Sequence, residues 1–309
     1  MSPKISPHPA AAQAHRAAGL AAEAAGVTLR DEHDLERQRE IEALLVSIWG
    51  MSPQGAPIPF DVLRGISHAG CNISAAYLPD GRVCGAAVAL VTPEHGSYSL
   101  IAGVAPGIGD KGVGFALKQH QRAWCLERGI ETMSWTFDPL VSRNARFNLA
   151  KLGAHVTEYT RNFYGIMDDE INAQDESDRL VAVWPLASAD SIACSEGRPR
   201  DVELPRDGDL TVLGAGPDGE AHLLESGDTL WARAPRDIVS LRAQDPVQAA
   251  AWRRELREVF ESAFAAGRVA DGVTREGWYR LSPAMAPQDV ASGGAAPRGA
   301  AFERQESAR

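Results

Sequence analysis

GVAPGIGDKGVGFALKQHQRAWCLERG (residues 103–129) places five glycines, Gly103, Gly107, Gly109, Gly112 and Gly114, directly before a helical pattern. A backbone without Cβ atoms lets a ligand approach closely, and the first N–H groups of a helix are unpaired donors at the positive end of its dipole. The two features together predict a phosphate site. The helix reads from 112 to 128, with Val113, Ala116, Leu117, His120, Ala123 and Trp124 on one stripe and Gly129 as its C-terminal stop.

Two kinds of phosphate site compete for the loop. Gly107-Ile108-Gly109-Asp110-Lys111-Gly112 matches GxGxxG, the dinucleotide fingerprint. That motif belongs at the opening of a βαβ unit. Here a long run of strands and helices precedes it, and the nearest strand-end acid, Asp138, comes late. The second reading takes Gly109-Asp110-Lys111-Gly112-Val113-Gly114 as a pyrophosphate cradle, in which successive N–H groups at the helix start face a diphosphate.

On these residues the chain resembles the GNAT superfamily of acyl-CoA-dependent N-acyltransferases, whose loop reads Gln/Arg-x-x-Gly-x-Gly/Ala and opens a helix after the fourth strand. A second family signature, an Asn-x-x-Ala-like helix closing on Lys-x-Gly, is matched from Asn144 through Lys151-Leu152-Gly153-Ala154. WTFDPLVSRNARFNLAKLGA (135–154) followed by NFYGIMDDEINAQDESDRLVAVWPL (162–186) is similar to a bacterial subgroup of GNAT acetyltransferases. RDIVSLRAQDPVQAAAWRRELREVFESAFAAG (236–267) is similar to that subgroup's extra C-terminal half.

The resemblance implies an α/β (α+β) class GNAT fold, with a mixed, mostly antiparallel sheet flanked by helices, plus a C-terminal α+β module. It implies acetyl-CoA or another acyl-CoA as co-substrate and a small amine, such as an amino acid, as acceptor. The chain departs from the family's pattern in three places. Gly109 stands at the Gln/Arg position of the loop, Leu149 at the helix position of the usual general-acid tyrosine, and Tyr98 and Leu100 where the subgroup tends to carry histidines. These departures keep a second expectation alongside the first: a GNAT-like protein without transferase activity, acting as a CoA-binding or structural partner.

The rest of the chain divides by composition. Residues 1–26, rich in Ala and Pro, read as a disordered leader, 27–187 as the GNAT domain, 188–282 as the α+β module and 283–309 as a disordered polar tail. In the module, the helix expected from 246 to 267 carries Ala250, Trp252, Leu256, Val259, Phe260 and Phe264 as a stripe in need of a partner surface. A net charge of −10 argues against sequence-independent nucleic-acid binding and against an anionic membrane surface. No apolar run reaches membrane-spanning length. The four cysteines lack metal or disulfide spacing, so no metal is expected and the cytoplasm is the expected compartment. The expected partner is a small-molecule amine, a homodimer is allowed, and neither nucleic acid nor membrane is expected.

Acyl transfer from a thioester to an amine needs a held donor, a neutral amine, a stabilised oxyanion and a protonated leaving thiolate. The resemblance gives the donor to Gly109, Asp110, Lys111, Gly112, Val113 and Gly114, and to the backbone of Gly103 and Val104 as a strand for the pantetheine arm. Asn144 and Asn148, at i and i+4, would bond its amides from one helix face; a capping role is the alternative for Asn144. Asp138 is a candidate to orient or deprotonate the amine, or else a turn acid before Pro139. Tyr164, in NFYG on an expected strand, is the candidate acid for the thiolate, or else a packed aromatic. Arg143 and Arg161 are candidates to bind an acceptor carboxylate, or else solvated surface.

Overall fold

The computed structural model describes residues 8–50, 55–108, 111–165 and 176–284. One mixed, mostly antiparallel sheet of twelve strands runs through both halves of the chain, with helices on its faces. In chain order its elements are α1 (Ala11–Ala25), β1 (Thr28–Asp31), α2 (Leu35–Trp49), α3 (Phe60–His68), β2 (Asn72–Tyr77), β3 (Val83–Val91), β4 (Ser97–Val104), α4 (Val113–Glu127), β5 (Thr132–Phe137), α5 (Ser142–Arg146), β6 (His155–Thr160), β7 (Arg179–Pro185), α6 (Ala189–Ser195), β8 (Thr211–Ala215), β9 (Ala221–Ser226), β10 (Thr229–Arg233), α7 (Ile238–Gln244), α8 (Pro246–Ala265), β11 (Arg268–Val273) and β12 (Trp278–Pro283). The strands lie in the order β1-β2-β3-β4-β5-β7-β6-β11-β12-β10-β9-β8.

One correction concerns the N-terminal segment. Residues 11–25 form a helix, where a disordered leader is expected from composition. Alanine has the highest helix propensity, and Ala11, Ala14, Ala17, Ala18 and Ala25 are buried at helical spacing. Gly26, at φ 67°, closes the helix by donating its N–H to the Glu23 carbonyl, while Val27 donates to that of Ala22. The small face packs on α4. Because β2 and β3 cover the opposite side, α4 buries even its polar residues: Lys118, Gln119, Gln121 and Arg122.

The second correction concerns the C-terminal half. It forms β8 to β12 and reaches back to the first half, so the boundary expected at 187/188 falls inside one continuous sheet. Ala270 of β11 pairs with Val156 of β6. Phe260 of α8 stacks on Tyr159 of β6 with ring centroids 6.0 Å apart, and the Tyr279 hydroxyl donates to the Pro139 carbonyl at 2.7 Å. The predicted stripe on α8 finds its surface: Trp252, Leu256 and Phe260 are fully buried, with Val259 and Phe264 packed beside them. The tail lies outside the described residues from 285 onward. Among the described residues no helix is long and apolar enough to cross a membrane.

Candidate functional site

Among the described residues β4 and β5 are the only parallel neighbours in the sheet, and they pair at two positions, Ser97 with Met133 and Tyr98 with Ser134. Beyond Tyr98 the strands part. From Ser99 to Val104, β4 keeps β3 on one side, where Gly103 pairs with Ala86 and Val104 with Gly85, and among the described residues has no strand on the other. A register shift between Val88 and Ala89 leaves Leu100 without an opposite residue, a bulge at the start of the gap. β5 is held by β7 along its full length, so the gap is a fixed V whose open end lies at the C-terminal ends of both strands.

Gly103 and Val104 end β4 at that open end, and Gly112, Val113 and Gly114 open α4 beyond it. The loop after β4 leads into α4, where Gly112 is the N-cap residue at φ 85°. Glycine alone adopts that conformation readily, and it leaves the first N–H groups of α4 facing outward. Lys111 is exposed beside it, and Gly114 follows within the first turn. Gly109 and Asp110 lie outside the described residues. Gly103 has a second, structural reason to be glycine: a Cβ there would come within 2.5 Å of the Trp49 ring of α2.

Several predicted site residues are placed differently from expectation. Asn144 and Asn148 do not share a face. A π-helical turn over Phe147–Lys151 follows α5 and widens the turn between them. Asn144 is exposed, whereas Asn148 is buried and accepts the Trp135 indole N–H at 3.3 Å. Leu149 is fully buried.

Asp138 is not a free base. Its Oδ2 accepts from Arg242 at 2.6 Å and Arg253 at 3.3 Å, with Arg179 at 3.9 Å, while Oδ1 accepts the Leu140 N–H. Burial acts to raise its pKa, but Arg253 and Arg242 outweigh it and hold the carboxyl below its ordinary range. A carboxylate so held is a weak proton acceptor, and its role is to tie α7 and α8 to the end of β5. Arg161 is likewise occupied, paired with Glu261 of α8. Arg143 stays on the exposed face of α5.

Tyr164 lies in the turn after β6 rather than on a strand, because β6 ends at Thr160. Its hydroxyl is 3.2 Å from the Thr136 hydroxyl of β5, and the Arg179 guanidinium sits 5.4 Å from its ring centre. Tyr98 of β4 hydrogen-bonds both Thr136 and Tyr164. Burial pushes the Tyr98 phenol up to about 12, against the hydrogen bond from Thr136, so it is an O–H donor at neutral pH. These hydroxyls line one face of the V.

Successive strand residues face opposite sides, and the other face of the V is built from Ser99, Trp135 and α4. Ser99 Oγ accepts from Lys118 Nζ at 2.7 Å and donates to Gln121 Oε1 at 3.2 Å. Lys118 Nζ lies 4.0 Å from the Trp135 ring centre. Burial brings the Lys118 amine down to about 7. Tyr98 is marked in the sequence only as a departure from the subgroup's histidines, and none of Ser99, Lys118, Trp135, Thr136 and Arg179 stands out as a site residue. The available signal for Lys118 was indirect: the alanine spacing at 11–25 marks a helix that must cover the far side of another.

Solved structures of GNAT acetyltransferases match the chain over about half its length. The ribosomal-protein-S18-alanine N-acetyltransferase from Escherichia coli is 15% identical, with 53% of this chain and 96% of that chain covered at a TM-score of 0.43. A GNAT superfamily phosphinothricin acetyltransferase from Sinorhizobium meliloti, in complex with AcCoA, is 19% identical, with 52% of this chain and 88% of that chain covered, again at 0.43. An acetyltransferase of the GNAT family from Streptococcus pneumoniae is 12% identical, with 51% and 98% covered, also at 0.43. No family model and no curated protein matches the sequence. Among the described residues no group of His, Cys, Asp and Glu could hold a metal ion.

Proposed function

We propose that the chain is an acyl-CoA-dependent N-acyltransferase acting on a small amine such as an amino acid. The observation that carries this reading is the parting of β4 and β5 after Tyr98 and Ser134, with a glycine-rich helix N-terminus at the open end of the gap. An extended arm bearing amides can pair with the unpartnered side of β4 from Val104 back to Ser99, as a strand would. Its diphosphate then falls at the N–H groups opening α4, beside Lys111. Only a ligand with a diphosphate at one end and an extended amide arm at the other uses both features, and an acyl-CoA is such a ligand. A dinucleotide has no use for the gap.

The thioester end of that arm reaches the apex of the V, between its two faces. A backbone N–H at the Leu100 bulge is suited to the oxyanion. The amine enters on the side of Tyr98, Thr136 and Tyr164, whose hydroxyls orient it. The α-amino group of a free amino acid is mostly protonated at neutral pH, so the attacking species is its neutral minority. The lone pair attacks the thioester carbon, the tetrahedral intermediate collapses, and the C–S bond breaks to release the CoA thiolate. With Asp138 locked among arginines, the ammonium proton leaves to solvent. Tyr164, which the sequence points to as the thiolate's acid, is better placed for the amine.

Calorimetry of the full-length protein with CoA and with NAD tests the assignment. Binding of CoA at micromolar concentration without binding of NAD is the expected result. NAD binding without CoA binding overturns it.

A further inference from the structure

Lys118 is a buried amine to which the reaction as drawn gives no task. It is 4% exposed, and among the described residues no carboxylate lies within ion-pair distance. A buried ammonium without a counter-ion is costly, and its persistence calls for a use. Its position supplies one. Ser99 and Trp135 are the first residues of β4 and β5 beyond their last paired rung, and Lys118 Nζ touches both, by its hydrogen bond to Ser99 Oγ and by its seat on the Trp135 ring. The amine therefore stands behind the apex of the V, on the face opposite the tyrosines.

Building on the acyltransfer reading, we infer that Ser99 protonates the leaving CoA thiolate and that Lys118, held against it, is the source of the proton. The Ser99 hydroxyl turns from Gln121 Oε1 to the sulfur and gives up its proton as the C–S bond breaks. Its oxygen takes a proton from the Lys118 ammonium in the same movement. The products are the free thiol, an intact hydroxyl and a neutral lysine, which is reprotonated from solvent before the next turnover. No other reactant is needed. The charged groups around the amine favour this cycle. Cys125 on the same helix is pushed up to about 12 by burial and stays a neutral thiol. β4 and β5 present Ser97, Ser99 and Trp135 on this face, and the π-helical turn presents Asn148, none of them charged. An amine near 7 gives its proton downhill to a thiolate near 8.5. The role left vacant at Leu149 is filled from α4.

The test compares wild-type protein with Lys118→Met and Ser99→Ala, using acetyl-CoA as donor, single amino acids as acceptors and free CoA for binding. Lys118→Met should lower kcat about 100-fold with the donor KM little changed. The wild-type kcat should fall as the pH rises through 7, and the variant should lose that limb. Thermal stability of Lys118→Met should equal or exceed the wild type, which separates the effect from a structural defect. An unchanged kcat, or a kcat that still falls as the pH rises through 7 in a variant that binds CoA, overturns the inference and leaves the acyltransfer reading standing. Absence of CoA binding in the wild type overturns both.

Discussion

Asp138 and Arg242 are 104 positions apart in the chain, and their side chains meet at 2.6 Å in the interior. Asp138 closes β5, and Arg242 belongs to α7, so this contact joins the two halves at the edge of the candidate site. Arg253 and Arg179 share the same carboxylate. Replacing Asp138 by Ala leaves guanidinium groups buried without their anion, and should cost about 3–5 kcal/mol of stability by denaturant titration. The pH dependence has a definite sign. The folded pKa of Asp138 lies below its unfolded value, so its contribution is present above the unfolded pKa, near 4, and is lost as pH falls through the folded one. Wild-type protein should lose stability across that acid window, and the Ala variant should show a shallower loss. Equal acid profiles would count against the ion pair as the link.

Deleting residues 188–309 should yield a fragment that does not fold to a native core. It would expose Tyr159 where Phe260 now stacks, leave the Pro139 carbonyl without Tyr279, and strip Asp138 of two arginines. Dye binding with loss of near-ultraviolet dichroism is the expected signature. A soluble, cooperative fragment with full CoA affinity would show that the first half stands alone.

The sequence makes some of this legible and hides the rest for physical reasons. The helix α4 and its stop at Gly129 are local signals, and they hold. The α8 stripe also holds, because periodicity survives whatever surface it meets. The helix at 11–25 is hidden because an alanine face has little hydrophobic contrast, although its alanines keep helical spacing. The continuity of the sheet across 187/188 rests on the pairing of Val156 with Ala270, a long-range contact that composition cannot register. Asp138 reads as a base from its place at a strand end. Only the fold brings Arg242 and Arg253 to it, and those arginines settle its charge. Asn144 and Asn148 read as one face because i, i+4 assumes an α-helix, and the π-helical turn breaks that assumption.

Tyr98 and Tyr164 should act on the acceptor and not on the donor. Both hydroxyls gather at Thr136 on the face away from α4. Tyr164→Phe and Tyr98→Phe should each raise the acceptor KM, with kcat/KM for the acceptor down by up to about tenfold, the worth of one neutral hydrogen bond. The donor KM should stay unchanged in both. A fall in kcat with both KM values unchanged in Tyr164→Phe would return the thiolate's acid role to that residue.

The last prediction concerns the opening glycines. Gly112 caps α4 at φ 85°, a conformation that costs a β-branched residue about 1–3 kcal/mol. Valine there must either strain or turn the first peptide of α4, and its side chain would stand where a phosphate must approach. Gly112→Val should therefore reduce CoA affinity by much more than Lys111→Ala, which removes an exposed point charge worth about 1 kcal/mol or less. Far-ultraviolet dichroism should show that α4 survives in the variant, since the sheet and α1 hold the helix along its length. The comparison separates backbone from side-chain recognition. If the N–H groups at the head of α4 hold the diphosphate, the valine variant loses CoA while the alanine variant keeps most of it. If Gly112→Val binds CoA as well as the wild type, the diphosphate lies elsewhere, and a cofactor-free, structural role for this chain becomes the better reading.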